Sequence, residues 1–306
     1  MNHGISSIIF TLHPPHLYQI EDGTGCFRVR LKIRYFESLY QDDKGIGMSY
    51  PEGVACSEKY GLIVGDTGND RHVRYAFENG ALKAGREIKI PQLLQPFRVQ
   101  VTSKGDILAL DGKQRRIVRL GADGAFKEYV TAEGALGSAT MVPRSVKIDR
   151  ADNIYILDIL SGRVLVLNPD GKFQKEIPFP KDYGFFSDLA VDPKGTVLLV
   201  DSVRSTVFSA VKTANAFSPL GKPLKEYLSF PISLTTDSRG TIYIVDTNGA
   251  DVGIMAQDGS FLGKQMSMGW TEGLLYYPSQ ICVSENGDVF FADRGNSRVQ
   301  RFVPAK

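Results

Sequence analysis

Six aspartates recur along the chain at intervals of 43 to 47 residues: Asp66, Asp111, Asp158, Asp201, Asp246 and Asp293. Carboxylates at fixed spacing are the raw material of acid–base catalysis and of cation binding. Their surroundings point to a plainer role. Each ends a β-rich run and precedes a loop, where an Asp side chain accepts backbone N–H bonds. Arg71, Arg116, Arg163 and Arg298 follow four of them by five residues, so each can pair with its Asp. The fifth copy differs. Its "DTNGAD" puts Asp251 where Arg recurs, so Asp246 and Asp251 share one loop without a cation there. Asn248 adds an oxygen, and Ca²⁺ is the ion such a set suits. A solvated carboxylate pair is the simpler reading, because EF-hand spacing is absent.

A second set follows a recurrent proline. Pro51, Pro96, Pro143, Pro231 and Pro278 lie fifteen residues before an Asp, and Phe186 takes that place in the fourth copy. Just after these positions come Glu52, Arg98, Arg144, Asp188 and Gln280. If the copies converge on an axis, these side chains form a polar cluster there. Two readings stand: a ligand site, or charges that compensate one another in a water-filled channel. The third set is "GKQMSMGWTEGLLYY", Gly263 to Tyr277, which holds the only Trp, Trp270, with Tyr276 beside it. Met48, Tyr50, Tyr183, Phe185, Phe186, Tyr227 and Phe230 fall in equivalent connections. An aromatic, Met-rich rim serves as an interface or as a cover over strand ends. His72 stands where other copies have Ile or Val, the place of a core histidine.

The elements that position these residues follow from the repeat. "SVKIDRADNIYILD" is an alternating run, a turn and a second β-rich run, and "RVLVLNPDGKFQKEI" is a third run, an Asp-Gly turn and a fourth. Alternation broken by Gly, Asn and Asp predicts antiparallel strands joined by tight hairpins. No segment has helical period. Each copy is a four-stranded meander of about 45 residues, and six of them bury their faces only by packing radially. The expected fold is therefore all-β, a six-bladed β-propeller. Its blades fall at about residues 47–90, 91–137, 138–182, 183–226, 227–273 and 274–306. The last copy stops after its third strand, and "FRVRLKIRYFESL", residues 27–39, is expected to complete it. Residues 1–26 read as a poorly ordered segment.

Composition narrows the function classes. The chain has 306 residues, 42% hydrophobic, 23% charged, with net charge +2. That charge supplies no field for nucleic acid, and no apolar run reaches the length of a spanning helix. The run Ile5 to Leu12 lacks a preceding Lys or Arg and is a poor signal peptide. Three cysteines without a CxxC, Cys26, Cys56 and Cys282, argue against a disulfide framework and a zinc site. The expected species is a monomer.

The stretch "YPSQICVSENGDVFFADRGNSRVQRF" resembles the NHL repeat family, and the frame it carries covers Met48 to Val303 in six copies. The resemblance implies a six-bladed propeller and frequent export, but it spans scaffolds, RNA-binding domains and a few lyases. The amidating lyases of this fold need a zinc held by several channel histidines, and none follows a repeat proline here. Gluconolactonase-like propellers need a carboxylate and an Asn around a cation, and "PEG" at Pro51 matches only superficially. The sequence thus favours a non-enzymatic binding or scaffold module with a protein or small-molecule ligand and no cofactor. It works through Glu52, Arg98, Arg144, Asp188, Gln280, Trp270 and Tyr276. The alternative is a lyase or lactone hydrolase with a channel site, in which Ca²⁺ takes part.

Overall fold

A computed structural model describes residues 17–21, 27–31 and 33–305. Six four-stranded antiparallel sheets follow one another around a ring. Blade three shows the pattern: Pro143–Ile148, Ile154–Asp158, Arg163–Leu167 and Phe173–Pro178 pair in chain order from the axis outward. The turn between its first two strands needs a left-handed residue, and Asp152 takes it at φ 61°. Blade five uses Gly240 at φ 86° for the same corner. Asp tolerates this region through local hydrogen bonds, whereas Gly enters it freely.

The core lies between blades. Six apolar clusters each join one blade to the next. One of them sets Val54, Leu62 and Val64 of blade one against Phe290, Ala292 and Val299 of blade six, so the ring is closed. Blade six is built from both ends of the chain. Gln280–Val283, Val289–Asp293 and Arg298–Pro304 are completed by Ile33–Leu39. The closing strand is shorter than residues 27–39. Phe27–Leu31 instead pairs with Leu17–Glu21 in a hairpin of its own. The expectation of poor order for residues 1–16 and 22–26 lies outside the described residues. Blade one carries an inserted hairpin, Phe77–Glu78 with Ala81–Leu82, before its outer strand Arg86–Ile88. Blade four ends in a two-residue outer strand, Ser218–Pro219.

The cysteine count misled. Cys56 and Cys282 form a disulfide between the inner strands of blades one and six, 226 residues apart in sequence. It crosses the seam where the ring closes, so it adds a covalent clasp to the apolar packing and the hydrogen bonds, such as Val54 N–H to Gln280, that also join these two blades. Crosslinking so long a loop removes much entropy from the unfolded chain. Reduction, or Cys56→Ser, is expected to lower stability by about 2–4 kcal/mol. Thermal melts with and without dithiothreitol check this, and identical curves contradict it.

His72 is a core residue, as its position indicated. It is wholly buried and neither ring nitrogen has a partner. Burial pulls its pKa down to about 4 from the ordinary 6.5. The unfolded chain therefore binds a proton that the folded chain refuses. Stability falls as pH drops below about 6.5, by about 1.4 kcal/mol per unit, until the folded value near 4 is passed. His72→Leu is expected to flatten that part of the pH–stability curve, read by urea titrations across the window. An unchanged slope would show that His72 is not its source.

Candidate functional site at the channel mouth

A recurring irregularity builds the site. In blades two to five the pairing of first and second strands slips by one residue after the repeat position: between Pro96 and Arg98, Pro143 and Ser145, Phe186 and Asp188, Pro231 and Ser233. A bulge of this kind re-aims the residues around it. The extra residues Phe97, Arg144, Ser187 and Ile232 stand at the bulge, and Arg98, Ser145, Asp188 and Ser233 resume pairing below them. The four charges grouped by the sequence thus occupy two levels. Glu52 and Arg144 are half-buried at the upper one, while Arg98 and Asp188 are fully buried at the lower one.

Asp188 is the hub. Ser145 Oγ and Ser233 Oγ donate to its carboxylate from the neighbouring blades, as does the Leu234 N–H, and the N–H of Leu189 donates from its own strand. Lys147 Nζ lies 3.5 Å away. Burial alone would raise the Asp188 carboxyl. Lys147, Arg98 and the two hydroxyls outweigh burial and hold it below the usual range. Burial pulls the Lys147 ammonium down against the attraction of Asp188. Lys147 was missed in the sequence, although it is two residues past Ser145 and period two puts both on one side of the strand.

Arg98 donates from Nη1 to the backbone carbonyl of Glu52 at 2.7 Å, while its Nε and Nη2 have no partner. Burial pulls its pKa down, opposed by Asp188 and Glu52. Arg144 is lowered to about 10, first by burial and then by Arg98. The Phe97 ring carries both guanidiniums, Arg98 at 4.3 Å and Arg144 at 4.7 Å from its centroid. Gln280 accepts a bond from the Val54 N–H across the seam and leaves its own Nε2 without a partner. Below this level all six inner strands line an axial cavity of about 190 Å³, with Gln100, Lys147 and Cys282 on its wall.

The repeated aspartates act as staples. All six are fully buried. Each accepts a backbone N–H from the connection before its blade: Ser49, Leu94, Val142, Gly184, Ser229 and Tyr276 in turn. The sequence reading expected bonds from the loop that follows, and those occur as well, for example from Lys113 and Gln114 to Asp111. Three of the four arginines pair with their Asp: Arg71 at 2.7 Å, Arg163 at 3.3 Å and Arg298 at 2.8 Å. Arg116 instead lies over the Tyr129 ring, and Gln114 Nε2 bonds Asp111. In blade five the missing cation comes from the outer strand, where Lys264 Nζ sits 2.7 Å from Asp251. Asp246 accepts from Ser229, Phe230 and Gly249, and Asn248 is exposed. Among the described residues no group of three or more His, Cys, Asp or Glu is placed to hold a metal ion.

The connection carrying Trp270 rests on the Asp293 loop. Gly295 N–H bonds the Tyr276 carbonyl, Asn296 Nδ2 bonds the Gly269 carbonyl, and Arg298 reaches the carbonyls of Thr271 and Leu274. These bonds put it on the face of the Asp loops. Trp270 is 74% exposed, with Tyr276 at 5.7 Å between centroids and Tyr277 against Tyr276 at 4.7 Å. Tyr50 continues the rim, its N–H directed at Ser297 Oγ.

Known proteins share this architecture. A family model described as the NHL repeat matches residues 275–302. A search of curated proteins found no match. Among solved structures, the chain is similar to a gluconolactonase from Xanthomonas campestris, with TM-score 0.66 and 15% identity over 89% of this chain and 94% of that one. It is also similar to a catalytically inactive histidine-to-alanine variant of virginiamycin B lyase from Staphylococcus aureus with quinupristin, with TM-score 0.61 and 15% identity over 88% of each chain. A chain of a nidogen/laminin complex gives TM-score 0.60 and 15% identity, over 84% of this chain and 93% of that one. At such identities the likeness is one of fold. No helix among the described residues is long and apolar enough to cross a membrane.

Proposed function

Because the chain is an NHL-repeat β-propeller, we propose that it is a binding module whose working surface is the face of the Asp loops and blade connections. The observation that carries this reading is the exposed Trp270, held with Tyr276 and Tyr277 on a connection that is itself stapled to Asp293. Rigid aromatic side chains lose little freedom on binding and dominate interface energetics. The channel mouth supports the same reading. Its lower level is filled by mutual bonds among Ser145, Asp188, Ser233 and Lys147, which fits a fixed platform better than a set of reacting groups. The lyase neighbour is inactive without one histidine. Among the described residues of this chain the only histidine is the buried His72, an interior strand residue.

Incubation with gluconolactone and with quinupristin, with and without added Ca²⁺, tests the reading. A binding module leaves both substrates at the rate of buffer alone. Turnover that disappears in Asp188→Asn or Glu52→Gln would replace it with a lactone hydrolase or lyase acting at the channel.

A further inference from the structure

Between blades two and three the working face opens into a pocket of about 370 Å³. Phe97, Val142, Ile159 and Leu160 give it apolar walls, and Arg115 and Arg144 are its charged lining residues. Neither Asp nor Glu lines it. Arg144 stands there because the bulge after Pro143 turns it to the mouth. Its Nε has no partner, and neither do Nε and Nη2 of Arg98, which is fully buried on the Phe97 ring. Buried donors without acceptors are costly and rare, and they mark places where an acceptor from outside is accommodated. The charges point the same way. Asp188 faces all three of Arg98, Arg144 and Lys147, Glu52 faces the two arginines, and Arg98 opposes both other cations. Three cations face two carboxylates, and Glu52 also has Arg294 within 3.8 Å. The mouth therefore holds a surplus of positive charge beside an apolar hollow.

We infer that this pocket binds a small organic carboxylate, its apolar body against Ile159 and Leu160 and its carboxylate at Arg144. The inference rests on reading this face as a binding surface and names the ligand chemistry of one part of it. A guanidinium with free N–H groups matches a carboxylate in charge and geometry. Apolar walls select against a bare inorganic anion, since such an ion leaves them wet.

Calorimetric titration with phenylbutyrate, phenylbutyramide and acetate tests the assignment. The acid is expected to bind saturably and at least roughly tenfold more tightly than the neutral amide or acetate. Arg144→Gln should remove the preference for acid over amide. Leu160 is 62% exposed, so Leu160→Asp changes the mouth without disturbing the core, and it should weaken the acid more than the amide. Equal affinity for acid and amide, no saturable heat with the acid, or an acid affinity untouched by both substitutions overturns the inference. These results are independent of Trp270, so the pocket and the aromatic rim fail separately.

Discussion

Deletion of residues 1–40 abolishes soluble folding or lowers the melting temperature by more than about 10 °C, whereas deletion of residues 1–20 leaves the melt close to that of the intact chain. The longer deletion removes Ile33–Leu39, the outer strand of blade six. With it go the Arg301–Glu37 ion pair at 2.9 Å and the edge contact of Tyr35 with Phe302. Arg298 also loses the Tyr40 hydroxyl as a partner. The strand Arg298–Pro304 becomes an open edge, which is a template for pairing with other chains. The shorter deletion removes most of Leu17–Glu21, a strand of the hairpin that belongs to no blade's sheet. Thermal melts and soluble yield of the two truncations check this, and a 1–40 deletion that melts like the intact protein would show that the ring closes by other means.

Asp188→Ala is expected to cost about 3–5 kcal/mol, the range for removing one partner of a buried charge cluster. The substitution leaves Lys147 and Arg98 buried without their carboxylate, and Ser145 and Ser233 without their acceptor. Asp188→Asn keeps the shape and part of the hydrogen bonding, so it should cost less. The double variant Asp188→Asn, Lys147→Gln should be more stable than the sum of its parts, because it removes the amine that the single change strands. The sign of the pH dependence follows from the lowered carboxyl. Its stabilisation is complete above the unfolded value near 3.8 and is lost as pH falls through the folded value below it. Denaturant titrations of the three variants measure these differences. An Asp188→Ala protein as stable as wild type would mean that the channel charges are held apart by solvent.

Much of this architecture was legible because the fold repeats one solution six times. The buried Asp must recur wherever a connection is stapled, and the proline or Phe186 must recur wherever an inner strand begins. Both left a period that composition does not hide. The closing strand was legible in place but not in length, since Phe27–Leu31 and Ile33–Leu39 are equally β-rich and only pairing separates them. Glu52, Arg98, Arg144 and Asp188 were found together, but their two levels depend on bulges that no single sequence position announces. The Cys56–Cys282 bond and the Lys264–Asp251 pair were not legible. The first joins opposite ends of the chain, and the second joins neighbouring strands of a blade through an ordinary surface lysine.

The measurement that bears most directly on the working face is quantitative capture from an extract of the source organism with three immobilised baits: wild type, Trp270→Ala and Lys172→Ala. Trp270 lies on the rim of the working face, and Lys172 is exposed in a turn at the opposite ends of the strands. A binding module that uses this face retains the same molecules with wild type and Lys172→Ala and loses them with Trp270→Ala, by roughly tenfold or more for an aromatic anchor. Retention that survives Trp270→Ala and vanishes with Lys172→Ala would contradict it and move the binding surface to the other side of the ring.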